Sequence, residues 1–220
     1  MLHSVAGATD PHRLGRNELE VRAVPPPPAA PPRLIHLNGP PGIGKSTIAR
    51  LYADRHPGVL SLDIDQVRRL IGGWRERFSE TGALARTLAV GMADAHLRSG
   101  HDVVLPQYLG RLSEIERFET IAHDSGAVFR EIVLHDNKEQ SIRRFTQRGG
   151  AMESGWHREV QEQVDRAGGV SALSAMHDHL TEALRRRPAA IVIASHEGRL
   201  AETYEAVTAA LADPHLELSV

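Results

Sequence analysis

Cysteine is absent from the 220 residues of this chain. Disulfide bonds, thiolate catalysis and cysteine-based zinc sites are therefore excluded. Long apolar runs are lacking too, since no stretch approaches the roughly 18 residues that a membrane-spanning helix needs. The first residues show no basic segment followed by an apolar one, so we expect no secretory signal and a cytoplasmic location.

Neither sign of charge is in excess, because 26 cationic residues stand against 28 acidic ones and the formal net charge is −2. Such a balance gives no general attraction to a nucleic-acid backbone or an anionic membrane, and we expect neither as a partner. The 13 histidines fall in no metal-binding spacing such as H-E-x-x-H, so they predict no metal centre. Nothing in the sequence predicts the oligomeric state.

One segment matches the phosphate-binding loop pattern G-x-x-x-x-G-K-[ST] at every position. A short apolar stretch that predicts a strand precedes it, and a predicted helix follows it. Glycines let the backbone N–H groups curve around a polyphosphate, and the helix N-terminus adds positive potential. The residues predicted to bind the nucleotide are Gly39, Pro40, Pro41, Gly42, Ile43, Gly44, Lys45, Ser46 and Thr47.

Lysine is scarce, since Lys45 and Lys138 are the only two among the 26 cationic residues. One of these two lysines, Lys45, lies in the phosphate-binding loop, where a narrow ammonium group fits beneath phosphates better than a guanidinium group does. We predict that Lys45 neutralises the β- and γ-phosphates and that the Ser46 hydroxyl ligates Mg²⁺. ATP and Mg²⁺ are the predicted nucleotide and metal, and Lys45 is a predicted catalytic residue.

The chain divides into two parts. The run Pro25-Pro-Pro-Pro-Ala-Ala-Pro-Pro32 predicts an extended spacer, so residues 1–32 are interpreted as a flexible extension ahead of a domain over 33–220. From Arg33 onward, short apolar strands alternate with helices, which is typical of an α/β fold with a parallel sheet. The predicted strands cover residues 34–38, 59–63, 102–106, 128–134 and 189–194.

The predicted helices carry apolar stripes with a period near 3.6 residues. In the helix predicted over 81–98, the stripe is Leu84, Leu88, Met92 and Ala95, and we expect it to face the core. Residues 149–169 differ, because they are polar and rich in Gly, Glu, Gln and Arg. We predict a mobile lid there, since phosphoryl transferases exclude water; an ordinary surface helix is the alternative.

Two carboxylates follow the second predicted strand, in Asp63-Ile-Asp65. The carboxyl end of this strand lies at the same sheet edge as the phosphate loop, where open α/β folds bind ligands. Phosphoryl transfer to an alcohol needs a group that orients the hydroxyl and accepts its proton. We predict that Asp65 does this and that Asp63 lies nearer the metal. A helix N-cap is the alternative for Asp65 and is compatible with that role.

The third predicted strand runs into Gln107-Tyr-Leu-Gly-Arg111. Many P-loop proteins place an aspartate at this point to hold Mg²⁺ through water. Here Gln107 takes that position, which argues against a motor or switch ATPase. We predict that Gln107 and Arg111 face the acceptor pocket, with local loop hydrogen bonds as the alternative.

The phosphate loop followed by Asp63-Ile-Asp-Gln-Val-Arg68 resembles the P-loop small-molecule kinases, a group with shikimate, gluconate and zeta-toxin kinases and chloramphenicol-phosphotransferase-like enzymes. The resemblance covers residues 34–149. It implies a three-layer P-loop NTPase fold whose five-stranded parallel sheet has the order 2-3-1-4-5 and helices on both faces. It also implies that Asp65 contacts the acceptor hydroxyl and that Arg68 helps to hold the substrate.

The same kinases have an R-x-x-x-R lid helix that reaches the transferred phosphate, and the segment with Arg144 and Arg148 resembles it. Residues four apart share one helix face, and arginines there would stabilise charge on the phosphoryl oxygens. The resemblance thus implies catalytic roles for both arginines. A solvated basic face is the alternative.

We therefore predict an ATP-dependent phosphotransferase that moves the γ-phosphate of Mg-ATP to a hydroxyl of a small molecule, such as a metabolite, a nucleotide sugar or an antibiotic. One alternative is a P-loop ATPase that acts as a switch or partner-binding module. The other is a polynucleotide 5′-kinase, which would need a basic groove for its substrate. Side-chain identities without geometry do not define the acceptor.

Overall fold

A computed structural model describes residues 30–150 and 155–213, and within these ranges it forms five strands and eight helices. The strands are β1 (Arg33–Asn38), β2 (Leu60–Ser61), β3 (Val103–Leu105), β4 (Val128–His135) and β5 (Ile191–Ala194). The helices are α1 (Lys45–Arg55), α2 (Ile64–Arg69), α3 (Phe78–Arg98), α4 (Leu112–Asp124), α5 (Lys138–Gly150), α6 (Gly155–Arg166), α7 (Val170–Arg185) and α8 (Leu200–Ala212). Nearly all of the predicted extension over 1–32 lies outside the described residues.

The strands form one parallel sheet with the order β2-β3-β1-β4-β5. This confirms the predicted α/β class and strand order, and each strand overlaps a predicted segment. Because the strands are parallel, their carboxyl ends meet at one edge of the sheet. The loops that follow β1, β2 and β3 therefore lie close together, although they are far apart in sequence.

Helices cover both faces of the sheet, and the alternation of side chains along β1 shows how. Leu34 packs on the face that carries α3 and α4, whereas Ile35 and Leu37 pack on the face that carries α1 and α8. All three are fully buried. Burial of each such side chain stabilises the fold by about 1.5–3 kcal/mol, so these two apolar layers hold the sheet edge in place.

The apolar stripe of α3 shows that one prediction was wrong. Leu84, Leu88 and Met92 are 50%, 51% and 39% exposed, and Ala95 is exposed as well. The helix instead buries a row one residue further along, which consists of Ala85, Ala89, Ala93 and Leu97. Both rows have helical spacing, so periodicity cannot separate them. Side-chain size decides, because small alanines let α3 approach the sheet and α4 closely.

The segment predicted as a lid, residues 149–169, contains the end of α5, all of α6 and the turn before α7. Residues 151–154 lie outside the described ranges. Within the described part, Val164 packs against Phe145 of α5 and Leu173 of α7. The segment therefore has an apolar anchor on neighbouring helices, and its motion stays a prediction.

No helix among the described residues is long and apolar enough to cross a membrane.

Candidate active site

A cleft of about 870 Å³ lies at the carboxyl edge of the sheet. Its volume is within the range of about 300–1,000 Å³ that is usual for small-ligand sites. Its walls come from the phosphate loop, the start of α2, the exit of β3 and the helices α5 to α7. The predicted site residues that line it are Pro41, Gly42, Gly44, Lys45, Ser46, Thr47, Asp63, Asp65, Arg68 and Gln107.

The phosphate loop owes its shape to glycine. Gly39, Gly42 and Gly44 have φ angles of 141°, 80° and 108°, which other residues rarely adopt. A Cβ on Gly39 would also lie 2.5 Å from the carbonyl oxygen of Leu134 on β4, so no side chain fits there. Gly44 caps α1, so the loop leads directly into the positive end of a helix.

The ammonium group of Lys45 lies within this loop. Its Nζ donates hydrogen bonds to the carbonyl oxygens of Gly39 at 2.8 Å and Pro40 at 2.9 Å. The residue is only 9% exposed, and it borders the cleft. The loop therefore holds a fixed positive charge at its centre, which suits an anionic ligand.

Ser46 and Asp63 come together at the floor of the cleft. The Ser46 hydroxyl donates to Asp63 Oδ2 at 3.0 Å, and Asp63 Oδ1 accepts the backbone N–H of Asp65 at 3.0 Å. Asp63, not Asp65, is thus the N-cap of α2, and the N-cap alternative for Asp65 was wrong. A hydroxyl and a carboxylate oxygen side by side are hard ligands of the kind that Mg²⁺ prefers, so this pair fits the predicted metal.

Asp65 lies on the wall beside that pair, with 29% of its side chain exposed. Burial, followed by the neighbouring charge of Asp63, raises the pKa of Asp65 to about 6, although Arg68 and Lys45 act in the opposite direction. A carboxyl group with a pKa closer to neutral pH is a better proton acceptor than an ordinary aspartate. Two adjacent carboxylates therefore have distinct environments, as expected for distinct roles.

Arg68 is buried, with 7% exposure, and three neighbours fix its guanidinium group. Its Nη1 lies 3.3 Å from Asp65 Oδ1, and the group stacks on the Phe78 ring at 3.9 Å from the centroid. Gly82 of α3 makes room for it, because a Cβ there would lie 2.7 Å from Nη2. The sequence pointed to Arg68 through resemblance alone and did not reveal Phe78 or Gly82 as its support, because these belong to a different helix.

The exit of β3 supplies the opposite wall, with Pro106, Gln107 and Tyr108. The buried ring of His36 bonds to the carbonyl oxygen of Gln107 at 3.0 Å and fixes this segment to β1. Burial lowers the pKa of His36 to about 4, so the ring is neutral at pH 7. The Tyr108 hydroxyl donates to the carbonyl oxygen of Met176 at 3.0 Å and joins the wall to α7.

Arg111 does not reach the cleft, contrary to the prediction. It is exposed just before α4 and borders a separate, smaller groove. The reason lies two residues earlier, where the Asn38 side chain bonds to both the carbonyl oxygen and the N–H of Leu109, at 3.0 and 3.2 Å. Leu109 is thereby fixed in the core, and the chain turns away from the cleft after it.

Arg144 is buried behind the phosphate loop and is not among the residues that line the cleft. Its guanidinium donates to the carbonyl oxygen of Ile43 at 3.2 Å and to that of Ser195, and it lies 3.4 Å from Asp136 Oδ2. The residue therefore joins the loop to the ends of β4 and β5, and its predicted catalytic role stays a prediction. The side chain of Arg148 lies outside the described residues.

Further residues border the cleft that sequence reasoning did not single out. Three are arginines, namely Arg50, Arg69 and Arg75. Arg50 lies on α1, and the other two lie on and after α2. No motif marked them, because a cationic side chain on a helix surface is common and only the fold shows which of them share one cleft.

The sheet order, the phosphate loop and the two carboxylates at one edge define the fold of a P-loop kinase. More particularly, the chain belongs to the AAA domain family, whose model matches residues 34–168. This match confirms the family resemblance that the sequence predicted.

Several solved structures share the fold. A candidate kinase from Chloroflexus aurantiacus j-10-fl is 17% identical, with a TM-score of 0.59 over 84% of this chain and 98% of that one. A gluconokinase from Sinorhizobium meliloti 1021 is 19% identical, with a TM-score of 0.56 over 86% and 98%. The tunicamycin resistance protein of Deinococcus radiodurans is 18% identical, with a TM-score of 0.56 over 82% and 96%. No curated protein matches the sequence significantly.

Proposed function

We propose that this protein transfers the γ-phosphoryl group of ATP to a hydroxyl group of a small molecule. One observation carries the proposal. A single cleft is bordered by the phosphate loop with Lys45 and, next to the Ser46–Asp63 pair, by the second carboxylate, Asp65. Nucleotide binding and hydrolysis need only the loop. Transfer to an alcohol needs, in addition, a group that accepts the hydroxyl proton, and Asp65, whose pKa is raised, is suited to this.

We assign a role to each residue, and its position supports that role. The backbone of the loop and the Lys45 ammonium bind the phosphates, and catalysis is mainly a matter of position and charge. Ser46 and Asp63 would hold Mg²⁺, which when bound neutralises phosphate charge. Asp65 orients the acceptor hydroxyl and takes up its proton. Arg68 is a positioning residue that holds the Asp65 carboxylate at the cleft wall.

The acceptor in this proposal carries an anionic group. Four arginines border the cleft, namely Arg50, Arg68, Arg69 and Arg75. They outnumber the carboxylates there, Asp63 and Asp65. Asp65 and Arg68 offset each other, and Arg50 and Arg69 add positive charge to the same lining, which favours a carboxylate or phosphate on the acceptor. Hydroxy acids and sugar phosphates or nucleotide sugars are therefore the first acceptors to test.

The segment over 149–169 acts as the lid in this proposal. Val160 and Val164 of α6 border the cleft together with Met176 of α7. An apolar cover of this kind excludes water, which would otherwise compete with the acceptor for the phosphoryl group. Closure would bring the described part of α6 over the nucleotide.

The test is a transfer assay with Mg-ATP and separate pools of acceptors, read by mass spectrometry for products that have gained one phosphoryl group. One pool contains hydroxy acids and sugar phosphates, another neutral sugars and alcohols, and a third oligonucleotides with a free 5′-hydroxyl. We expect products in the first pool and at least about a hundredfold slower formation with Asp65→Asn, which should still bind ATP. ATP hydrolysis without transfer in any pool would contradict the proposal, and transfer to the oligonucleotides alone would replace the acceptor class.

A further inference from the structure

The outward face of α3 is apolar, and no other element among residues 30–150 and 155–213 buries it. Its three large members, Leu84, Leu88 and Met92, are between 39% and 51% exposed. The α3 strip, as we call this face, consists of Ala83, Leu84, Thr87, Leu88, Gly91, Met92 and Ala95, all of them exposed. Large contiguous apolar patches mark protein interaction sites, so this face is a candidate interface.

The charged side chains at the two sides of the strip form ion pairs or hydrogen bonds with other residues of the same chain. Arg86 lies 3.5 Å from a carboxylate oxygen of Glu114 on α4. Asp94 accepts hydrogen bonds from Arg98 and from the Ser125 hydroxyl, each at 2.8 Å. Nothing within α3, all of which is described, thus places a charge between the two ends of the strip.

The strip is self-complementary in size. The large residues form one row with a spacing of four, and the small residues Ala83, Thr87, Gly91 and Ala95 form a second row beside it. A two-fold axis perpendicular to two antiparallel α3 helices places each row against its own copy. The small rows then let the backbones approach, while Leu84, Leu88 and Met92 interleave with their counterparts.

The charges at the ends select this antiparallel arrangement. Glu80 and Arg98 are 18 positions apart, which is five helical turns, so they lie on the same side of α3 at opposite ends. Glu80 pairs with Arg77 at 3.4 Å and Arg98 pairs with Asp94 at 2.8 Å, but both side chains are largely exposed, at 69% and 55%, so each can also meet a charge from a second copy. In an antiparallel pair, Glu80 meets Arg98 of the second copy at each end. A parallel pair would instead bring like charges together.

We propose that the α3 strip is the interface of a homodimer in which two α3 helices pack antiparallel about a two-fold axis near residues 88–91. The partner is a second copy of this chain, because both the size pattern and the end charges match the strip to itself. This inference does not depend on the proposed function. The interface would lie close to the cleft, since α3 packs on α2 and its Gly82 lies against the guanidinium of Arg68.

The first test is the mass of the full chain in solution, by sedimentation or light scattering. We expect twice the chain mass of 24.1 kDa, with dissociation to the monomer in Leu88→Glu. Leu200→Glu is the matched control, because Leu200 is 40% exposed in the first turn of α8 and a carboxylate is favourable there. A monomeric full chain, or a dimer that Leu88→Glu leaves intact, would overturn the proposal.

The second test uses the lack of cysteine in this chain, which makes an introduced thiol unique. With the axis midway between Glu80 and Arg98, the two copies of residue 88 lie about 3 Å apart along the helices and the two copies of residue 84 about 15 Å apart. Leu88→Cys should therefore form a disulfide-linked dimer on mild oxidation, and Leu84→Cys should not. Equal cross-linking of both would indicate a parallel pair and refute the arrangement. A monomer with a thiol at 88 that resists alkylation would show that the chain covers its own strip.

Discussion

The two sides of the cleft are built in different ways. The nucleotide side is one continuous segment, Gly39–Thr47, whose shape follows from its own glycines and from the helix that it starts. The proposed acceptor side is assembled from four separate places: the start of α2, the first turn of α3, the exit of β3, and α6 with α7. A continuous segment can be identified by its pattern, whereas an assembled wall exists only once the sheet has formed.

The difference has a consequence for how each side tolerates change. On the nucleotide side, we expect the Lys45 charge and the backbone N–H groups to stabilise the phosphates directly, so a substitution there should have a large effect. On the acceptor side, side chains hold one another, as Phe78 and Gly82 hold Arg68 and Arg68 holds Asp65. We therefore expect substitutions on this side to have effects on activity that decrease from Asp65 to the rim of the cleft.

Lys45→Ala should have the largest effect, with turnover reduced by about a thousandfold, because a fixed charge on the phosphates is lost. ATP affinity should fall as well, which isothermal titration would measure. The matched control is Lys138→Ala, since Lys138 is the only other lysine and its ammonium pairs with Asp178 on the surface. Equal losses in both variants would mean that Lys45 has no special role.

Asp65→Asn should reduce turnover by at least about a hundredfold, the scale of general-base loss, while ATP affinity stays nearly unchanged. The base must be ionised, and the pKa of Asp65 is raised to about 6. Activity should therefore be full above this pH and fall as the pH drops through about 6, well above the usual aspartate range. The profile of kcat/KM for the acceptor should show this acid limb in the wild type.

The same variant offers a check on folding. Burial is unfavourable to the Asp65 charge, so Asp65→Asn should unfold at no lower temperature than the wild type at pH 7.

If the acid limb of the pH profile persists unchanged in Asp65→Asn, another group causes the limb, and Asp65 does not have its proposed role.

Gly82→Ala should have an intermediate effect that is confined to the acceptor side. The added methyl group would lie 2.7 Å from Arg68 Nη2 and displace the guanidinium from its place above Phe78. We expect the acceptor KM to rise about tenfold, with the ATP KM unchanged, since one methyl group in a packed pocket has effects of this size. Gly72→Ala is the control, because a Cβ there meets nothing within 4 Å. A rise in the ATP KM instead would show that the two sides are not separate.

The fold was largely predictable from the sequence, because β-branched strands, glycine-rich turns and the loop motif are local signals. The side of α3 that is buried was not predictable. The exposed row with Leu84 and the buried row with Ala85 have the same period, and only the close approach of α3 to the sheet selects the row of smaller side chains. Hydrophobicity favoured the wrong row. The strand order came from the family resemblance rather than from the residues themselves.

For the site, the sequence predicted Lys45, Ser46, Asp63 and Asp65 because each belongs to a short segment that follows a strand. Arg144 was predicted to face the phosphates from its resemblance to an R-x-x-x-R lid helix. Helical spacing gives the side of a helix on which a residue lies but not what that side contacts. In the fold, α5 follows β4 directly and brings this guanidinium against carbonyl oxygens behind the loop. Long-range contacts of this kind leave no local pattern.

Arg111→Ala should have the smallest effect and thereby sharpen the boundary of the acceptor side. Arg111 lies only four residues beyond Gln107, yet Asn38 fixes Leu109 and the chain leaves the cleft there. The acceptor KM should change by no more than about twofold, as for most surface substitutions. Arg69→Ala is its counterpart at the rim of the cleft, and the lost charge should raise the KM of an anionic acceptor by about fivefold, the upper end of what an exposed ion pair contributes. Steady-state kinetics with one acceptor would measure both. A larger effect at Arg111 than at Arg69 would mean that the acceptor binds along the start of α4, in the smaller groove that Arg111 borders, and would contradict the proposed acceptor side.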